Sequence, residues 1–279
     1  MKSFILFIVL LYSSLSTTAQ YKAIRSEVLG NGNPILFLPG FTTPGSVWKD
    51  TYQHLTTESQ AHFISYAGFN GIPPIKMPWY ASIKKELLDY IQTNNLQNLL
   101  IIGHSMGGTL AADIAGDLPH RVNKIIFVDA LPCMREFMMP GVAAASLHYK
   151  SPYNNRILAM EEAAFQSLAK MMATGMTVNK EKLTQITNWI LQADRTTYVY
   201  GYTDLMKTDV RPQLSNIQAD ALVLVAPTFG AIGRENMEKQ YANLPHKSVV
   251  LAPNGKHFIM FDSKTWFYEQ INRFIQSEN

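Results

Sequence analysis

The sequence predicts an α/β fold in which helices cover both faces of a mostly parallel, doubly wound sheet. Two observations carry this prediction. Short runs of consecutive apolar residues, typical of strands buried on both faces, alternate with longer segments of helical periodicity. The alternation stops once, between residues 131 and 216, and then resumes. Since strand–helix alternation gives parallel sheets, we expect a core of residues 20–130 and 217–279, with a helical cap (residues 131–216) inserted after the strand that ends at Asp129.

Composition sets limits on the function. The 279 residues are 47% hydrophobic and 16% charged, which suits one large domain. The net charge of +3 is small and no basic run alternates with aromatic residues, which argues against a nucleic-acid partner. Cys133 is the only cysteine, so no intrachain disulfide can form.

The first residues predict a cleaved signal peptide. Lys2 precedes an apolar segment, residues 4–11, which is too short to span a bilayer comfortably. Small and polar residues follow as far as Ala19, as a signal-peptidase site requires. We expect residues 1–19 to be removed and the mature protein, starting near Gln20, to be exported to the periplasm or the medium without stable membrane insertion. An uncleaved membrane anchor is the alternative.

Before the cap, the pattern predicts five strands and three helices. The first strand alternates only weakly and is expected to run antiparallel, whereas the others are mostly apolar. The expected strands cover residues 21–29, 34–38, 61–66, 99–102 and 122–128, and the expected helices cover 46–54, 82–94 and the segment from 109 to about 118.

Beyond the cap, the pattern predicts strands at 221–226 and 248–251 and helices at 235–242 and 265–276. The cap itself contains eight of the thirteen methionines. Methionine adapts to irregular ligands, so the cap is either an adaptable apolar lid over the ligand-binding edge of the sheet or a loosely specified core.

The strand at residues 99–102 runs into a tight turn with a serine at its apex. Residues 103–107 read Gly-His-Ser-Met-Gly, which matches the nucleophile-elbow pattern Gly-x-Ser-x-Gly. Glycines are needed on both sides because the turn is strained and leaves no room for a Cβ. The strand before and the small-residue helix after make Ser105 the candidate nucleophile, with a helix N-terminus beside it.

A serine hydroxyl needs a base, and His257 is the best placed of the seven histidines. It follows the last predicted strand, in a loop that should emerge at the same sheet edge as the elbow. His104 lies inside the elbow and is expected to point away from the serine as a packing residue.

These motifs resemble the α/β-hydrolase fold over essentially all of the mature sequence. The resemblance rests on Leu-Pro-Gly-Phe at 38–41, Gly-His-Ser-Met-Gly-Gly at 103–108, Phe-Val-Asp-Ala-Leu-Pro at 127–132 and Gly-Lys-His-Phe at 255–258. Members of that family carry serine, acid and histidine in this chain order. The resemblance implies an oxyanion hole made by the backbone N–H groups of Phe41 and Met106. The usual His-Gly before the first donor is Pro39-Gly40 here, which is tolerable because the donor is backbone.

The acid has two possible places in this family. Many members carry it after the strand equivalent to 221–226, but residues 227–234 contain no carboxylate and Glu235 is expected to begin a helix. Some relatives place it one strand earlier, where this chain has Asp129. A carboxylate at the end of an apolar strand needs a partner, and an imidazolium would serve. The alternative is that Asp129 anchors its loop by accepting hydrogen bonds from backbone amides.

Together these residues predict an acyl-transfer hydrolase. Ser105 attacks an acyl carbonyl, His257 removes the serine proton and Asp129 orients the imidazole, while two backbone N–H groups hold the oxyanion. The expected substrate is a small, partly apolar carboxylic ester or thioester, and no metal or organic cofactor is implied. Dehalogenases and epoxide hydrolases of this fold need an aspartate where this chain has Ser105.

Two alternatives remain. An exported aminopeptidase of the same fold would need carboxylates in the cap to hold a substrate amine, and Glu161-Glu162 is the adjacent acidic pair there. The neighbouring Asp194-Arg195 is expected to make an ion pair within the cap. A non-catalytic ligand-binding protein that keeps the fold is the alternative outside the enzymes.

Overall fold

The computed structural model describes residues 21–277, so the predicted signal peptide at 1–19 lies outside the described residues. Its strands are β1 (Ile24–Leu29), β2 (Asn33–Leu38), β3 (Ser59–Tyr66), β4 (Leu99–His104), β5 (Val122–Val128), β6 (Asp220–Val225) and β7 (Lys247–Leu251). They form one sheet in the order β1-β3-β2-β4-β5-β6-β7. β1 runs antiparallel to β3 and every other pair is parallel, which confirms the predicted fold class.

The helices lie in the segments of the chain that connect the strands or follow the last one. They are α1 (Lys49–Gln53), α2 (Trp79–Thr93), α3 (Met106–Asp117), α4 (Met134–Met138), α5 (Pro152–Leu158), α6 (Glu162–Met176), α7 (Lys180–Leu191), α8 (Arg195–Lys207), α9 (Gly230–Gln240), α10 (Ile259–Asp262) and α11 (Lys264–Gln276). None of them, within the described part of the chain, is long and apolar enough to cross a membrane.

The centre of the sheet is the core of the molecule. All six residues of β4 are buried, and Ile101 and Ile102, which point to opposite faces, are both fully inaccessible. This burial requires helices on each face and explains why β4 reads as an uninterrupted apolar run. The core therefore fixes the carboxyl end of β4, where the elbow serine lies.

Several helices begin at different positions from those expected. α2 starts at Trp79 and not at Ser82, because the carboxylate of Asp204 accepts the backbone N–H of Trp79 at 2.6 Å and so satisfies the new helix end. α9 starts at Gly230 and not at Glu235, directly after a 3₁₀ turn opened by Pro227.

The segment expected as a helix from Ser46 to His54 is split in the structure. Residues Gly45–Trp48 form a 3₁₀ turn and the α-helix begins only at Lys49. The turn packs tightly on β3, since a Cβ at Gly45 would lie 2.4 Å from the carbonyl oxygen of Ile64. The close packing of Gly45 against β3 therefore accounts for the 3₁₀ turn that precedes the α-helix.

The interruption of the alternation corresponds to helices. Five α-helices, α4 to α8, lie between β5 and β6, and this stretch of the described chain has no strand. We keep the name cap for residues 131–216. Its helix α8 lies against α2 of the core, where Asp204 Oδ2 receives the N–H groups of Trp79 and Tyr80, and Asp204 Oδ1 receives the hydroxyl of Tyr149.

Candidate active site

The elbow between β4 and α3 is as tight as the sequence pattern requires. Ser105 has φ 53° and ψ −125°, a left-handed conformation that is costly for a residue with a side chain. A Cβ at Gly107 would lie 2.2 Å from the carbonyl oxygen of Leu38, and one at Gly103 would lie 2.5 Å from the carbonyl oxygen of Gly107. Only glycine fits at either position, so the sequence enforces the strained turn.

The predicted oxyanion loop lies beside this serine. A Cβ added to Gly40 would be 3.3 Å from Ser105 Cβ, which places the backbone just before Phe41 against the elbow. Met106 is the first residue of α3, so its N–H is one of those without a partner inside the helix. The structure thus brings both predicted donor residues next to Ser105.

Asp129 and His257 are in contact. Nδ1 of His257 lies 2.7 Å from Oδ2 of Asp129, and since an ionised carboxylate only accepts, Nδ1 carries the hydrogen. The other oxygen, Oδ1, accepts the backbone N–H of Ala226 at 2.9 Å. The two interpretations of this aspartate are therefore compatible, because one oxygen contacts the histidine and the other anchors the end of β6.

The backbone at Asp129 is also held in place. Its φ is 44°, and its N–H donates to the carbonyl oxygen of Leu224 on β6 at 2.8 Å. Its carboxylate is only 16% exposed. A short hydrogen bond to a mostly buried carboxylate is charge-assisted, which fixes both the ring orientation and the tautomer of His257.

His104 has a place in this site that the sequence did not reveal. Its ring centroid lies 4.5 Å from that of His257, and its Nε2 donates to the backbone carbonyl of His257 at 3.0 Å. Its Nδ1 is buried without a hydrogen-bond partner among the described residues and faces the α-carbon of Gly40, since a Cβ there would lie 2.9 Å away. Burial, and then the neighbouring ring of His257, hold the pKa of His104 well below its usual value.

His104 is therefore a neutral imidazole with one fixed tautomer, packed against the candidate base. The expectation that it only packs away from the serine is incomplete. The pattern Gly-x-Ser-x-Gly carries no information on its second position, so the only available signal was a polar residue at a site that the motif requires to be buried.

An aromatic cluster covers the oxyanion loop. The ring of Phe41 lies 4.8 Å from Phe69, 5.7 Å from Trp79, 6.0 Å from Tyr198 and 5.5 Å from Tyr202 between ring centroids. The two tyrosines belong to α8 of the cap. Burial raises the pKa of each tyrosine, so both phenols stay neutral at ordinary pH. The rings around Phe41 are therefore uncharged.

The charged residues of the cap are paired differently from the prediction. Asp194 accepts the N–H and the hydroxyl of Thr197, each at 2.7 Å, and so caps α8. Arg195 makes its ion pair with Glu162 at 3.1 Å. The expected Asp194–Arg195 pair is wrong, because residues that follow one another at a helix start point in different directions.

Between residues 21 and 277, no three His, Cys, Asp or Glu side chains are grouped so that they could hold a metal ion. At the carboxyl edge of the sheet, the structure brings the candidate acid Asp129 and the candidate base His257 into contact, and His257 packs against His104, the residue before Ser105.

Comparison with known proteins identifies the family of the chain. The family described as "Alpha/beta hydrolase family" matches residues 35–270. The chain is 20% identical over 262 residues to the pimeloyl-[acyl-carrier protein] methyl ester esterase of Aeromonas hydrophila subsp. hydrophila, covering 91% of this chain and 99% of that protein.

Solved structures share the fold at low identity. An esterase from Exiguobacterium antarcticum superposes with a TM-score of 0.75 at 18% identity, covering 92% of this chain and 98% of that one. A bromoperoxidase from Bacillus anthracis also gives 0.75, at 19% identity, covering 91% and 95%. Since their reactions differ, these likenesses show the shared architecture and not a shared substrate.

Proposed function

Since the chain belongs to the alpha/beta hydrolase family, we propose that it is a serine hydrolase that cleaves a carboxylic ester or thioester through an acyl-enzyme. The observation that carries the proposal is the 2.7 Å hydrogen bond between His257 and Asp129, next to a strained elbow that presents Ser105. A mostly buried carboxylate bonded to a histidine, a serine at the carboxyl edge of the sheet and adjacent backbone donors are the parts that acyl transfer needs.

The proposed reaction follows from the tautomer. With its Nδ1–H given to Asp129, His257 has an unprotonated Nε2 that accepts the hydroxyl proton as Ser105 attacks the carbonyl carbon. The N–H groups of Phe41 and Met106 stabilise the oxyanion, each by about 3 kcal/mol. His257 then protonates the leaving alcohol or thiol, and a water activated in the same way releases the acid.

We propose an uncharged, partly apolar acyl group as the substrate. The aromatic cluster of Phe41, Tyr198 and Tyr202 offers neutral apolar surface beside the oxyanion loop, and Met172 of α6 extends it, accepting the hydroxyl of Tyr198 on its sulfur at 3.0 Å. Relatives of the chain that are named methyl ester esterases support an ester over an amide.

The aminopeptidase alternative has less support. It requires free carboxylates to bind a substrate amine, but Glu162 is engaged by Arg195 and is 77% exposed. The same guanidinium donates to the carbonyl groups of Ile157 and Met160, which fixes it to the end of α5. We therefore place the acidic pair of the cap on its outer surface.

Export stays a proposal of its own. The first described residues are bonded to the core, because Glu86 of α2 accepts the backbone N–H groups of Lys22, Ala23 and Ile24. We propose that residues 1–19 are a signal peptide. N-terminal sequencing of the protein recovered from the periplasm or the medium tests this, and a start at Met1 would contradict it.

Reaction with a fluorophosphonate tests the catalytic proposal. The probe should label wild-type protein on Ser105, as read by peptide mass spectrometry, and should leave Ser105→Ala unlabelled. A panel of p-nitrophenyl esters and aminoacyl p-nitroanilides then separates esterase from aminopeptidase. Saturable binding of these esters with no labelling would show a non-catalytic binding protein and overturn the proposal.

A further inference from the structure

Asp262 connects the cap with the loop that carries His257. This aspartate ends α10, five residues after the histidine, and the proposed mechanism gives it no part. Its two carboxylate oxygens accept hydrogen bonds from residues on both sides of the boundary between cap and core. It has no formal ion-pair partner within the described residues, so these hydrogen bonds are what compensates its charge.

On the cap side, Asp262 binds the turn between α6 and α7. Oδ1 accepts the hydroxyl of Thr177 at 2.5 Å and the N–H of Asn179 at 3.3 Å, and Oδ2 accepts the N–H of Val178 at 3.1 Å. Thr177 is only 2% exposed. The turn leads into the N-terminus of α7, where a carboxylate is favoured by the helix dipole.

On the core side, Asp262 binds the residue before the histidine. Oδ2 accepts the N–H of Lys256 at 2.8 Å. Gly255 has φ 99°, and a Cβ there would lie 2.5 Å from Cβ of Asp262, so the loop is pressed directly against this side chain. The contact is therefore close enough for a shift of the aspartate to move the loop.

Two further hydrogen bonds join the end of α6, directly before this turn, to the residues that flank His257. The N–H of Phe258 donates to the carbonyl oxygen of Met176 at 3.0 Å, and Nζ of Lys256 donates to the carbonyl oxygen of Thr174 at 2.7 Å. The residues immediately before and after His257 are thus both tied to the end of α6. The histidine itself is tied to the core through Asp129.

We propose that Asp262 is a positioning residue that couples the cap to the base, so that His257 is correctly placed only while the turn at 176–179 is seated on this carboxylate. This inference rests on the proposed serine-hydrolase function, since it assigns His257 the role of base. A displacement of the cap turn then breaks hydrogen bonds that hold Lys256 and Phe258 in place, and it slows proton removal from Ser105. The contact of the cap turn with Asp262 and the alignment of His257 are therefore coupled.

The test uses paired threonine variants on the cap. Thr177→Val keeps the side-chain shape and removes the hydroxyl, which donates to Asp262 and accepts the N–H of Asn179 at 3.1 Å. Thr174→Val is the matched control, because that hydroxyl donates only to Lys170 within α6, and the contact of Thr174 with Lys256 uses the backbone carbonyl, which valine keeps. The readout is the rate of Ser105 labelling by a small alkyl fluorophosphonate, which needs the base but makes few contacts with a cap, measured well below the unfolding temperature of each variant.

We expect Thr177→Val to be labelled about three- to tenfold more slowly than wild type, as the loss of one charge-assisted hydrogen bond implies. Thr174→Val should stay within about twofold. Thr177→Ser restores the hydroxyl and should restore the rate. Asp262→Asn, which leaves an amide facing some of the same donors, should be slower than Thr177→Val.

Amide hydrogen exchange gives a second readout that does not depend on catalysis. The amides of Lys256 and Phe258 should exchange faster in Thr177→Val than in Thr174→Val. Equal labelling rates for the two valine variants would overturn the proposal, whatever their melting temperatures. Absence of labelling in wild type would overturn the proposed function instead, and exchange would then decide on the coupling alone: unchanged exchange refutes it, and faster exchange supports it.

Discussion

Replacing Asp129 by asparagine tests the centre of the proposed mechanism. The amide has the same shape as the carboxylate, and its oxygen can keep the hydrogen bond from the N–H of Ala226. Its NH₂ group then faces Nδ1 of His257, which must become an acceptor. The proton of the neutral imidazole moves to Nε2, and the nitrogen that should receive the proton of Ser105 now carries one of its own.

The expected loss is large because the wrong tautomer cannot act as a base. We expect the acylation rate of Asp129→Asn to fall about 10³- to 10⁴-fold, the range for an isosteric loss of the orienting acid. This corresponds to about 4–5.5 kcal/mol of transition-state stabilisation. Folding should change much less, since the anchor on Ala226 is retained and the remaining cost is about 1–3 kcal/mol from a weakened pair.

The assay is the labelling rate of Ser105 together with kcat/KM on a p-nitrophenyl ester, and urea unfolding reports stability. Asp209→Asn is a matched control, because it also removes a half-buried paired carboxylate, which is bonded to Arg211 and not to His257. The control should keep its labelling rate within about twofold. A loss below about tenfold in Asp129→Asn would refute the assignment and move the acid elsewhere.

Three further predictions follow from the packing. Gly107→Ala forces a Cβ into backbone and should cost about 3 kcal/mol or more in urea unfolding, whereas Gly175→Ala, in open space on α6, should be neutral or stabilise by up to about 1 kcal/mol. Burial depresses the pKa of His104, so the contribution of this residue to the unfolding free energy is complete above pH 6.5 and is lost as the pH falls towards the folded-state pKa. Between pH 7 and 5, the unfolding free energy of His104→Gln should therefore fall less than that of wild type. An unchanged slope of unfolding free energy against pH would contradict this. Asp204→Asn should destabilise by about 1.5–3 kcal/mol and Tyr149→Phe by about 1 kcal/mol in the same assay, and the reverse order would show that the helix end of α2 does not depend on this carboxylate.

The parts of the site that the sequence predicted are those fixed by local chemistry. The strained turn at Ser105 needs glycine on both sides, so the motif itself states the geometry. Asp129 and His257 each follow an apolar strand, and parallel strands bring their carboxyl ends to one edge. Position along the chain was therefore enough to predict their meeting.

The parts that were missed are set by contacts across long separations. α2 begins at Trp79 because Asp204, far along the chain on the cap, accepts its N–H. His104 contacts the carbonyl of His257, and Asp262 contacts the turn after α6. No periodicity or turn signal encodes such pairs, since each depends on how the cap and the last loop settle on the sheet.

The placement of Asp129 before the cap has a consequence for engineering. The proposed nucleophile and the proposed acid both lie in or directly after the unit formed by β4, α3 and β5, which is complete before any cap residue is reached along the chain. A cap of another length or composition can therefore be grafted between β5 and β6 while the register of that unit is preserved. The graft must still present a hydroxyl and backbone amides at the positions where Thr177 and its neighbours contact Asp262. This contact is the one to preserve when caps are exchanged.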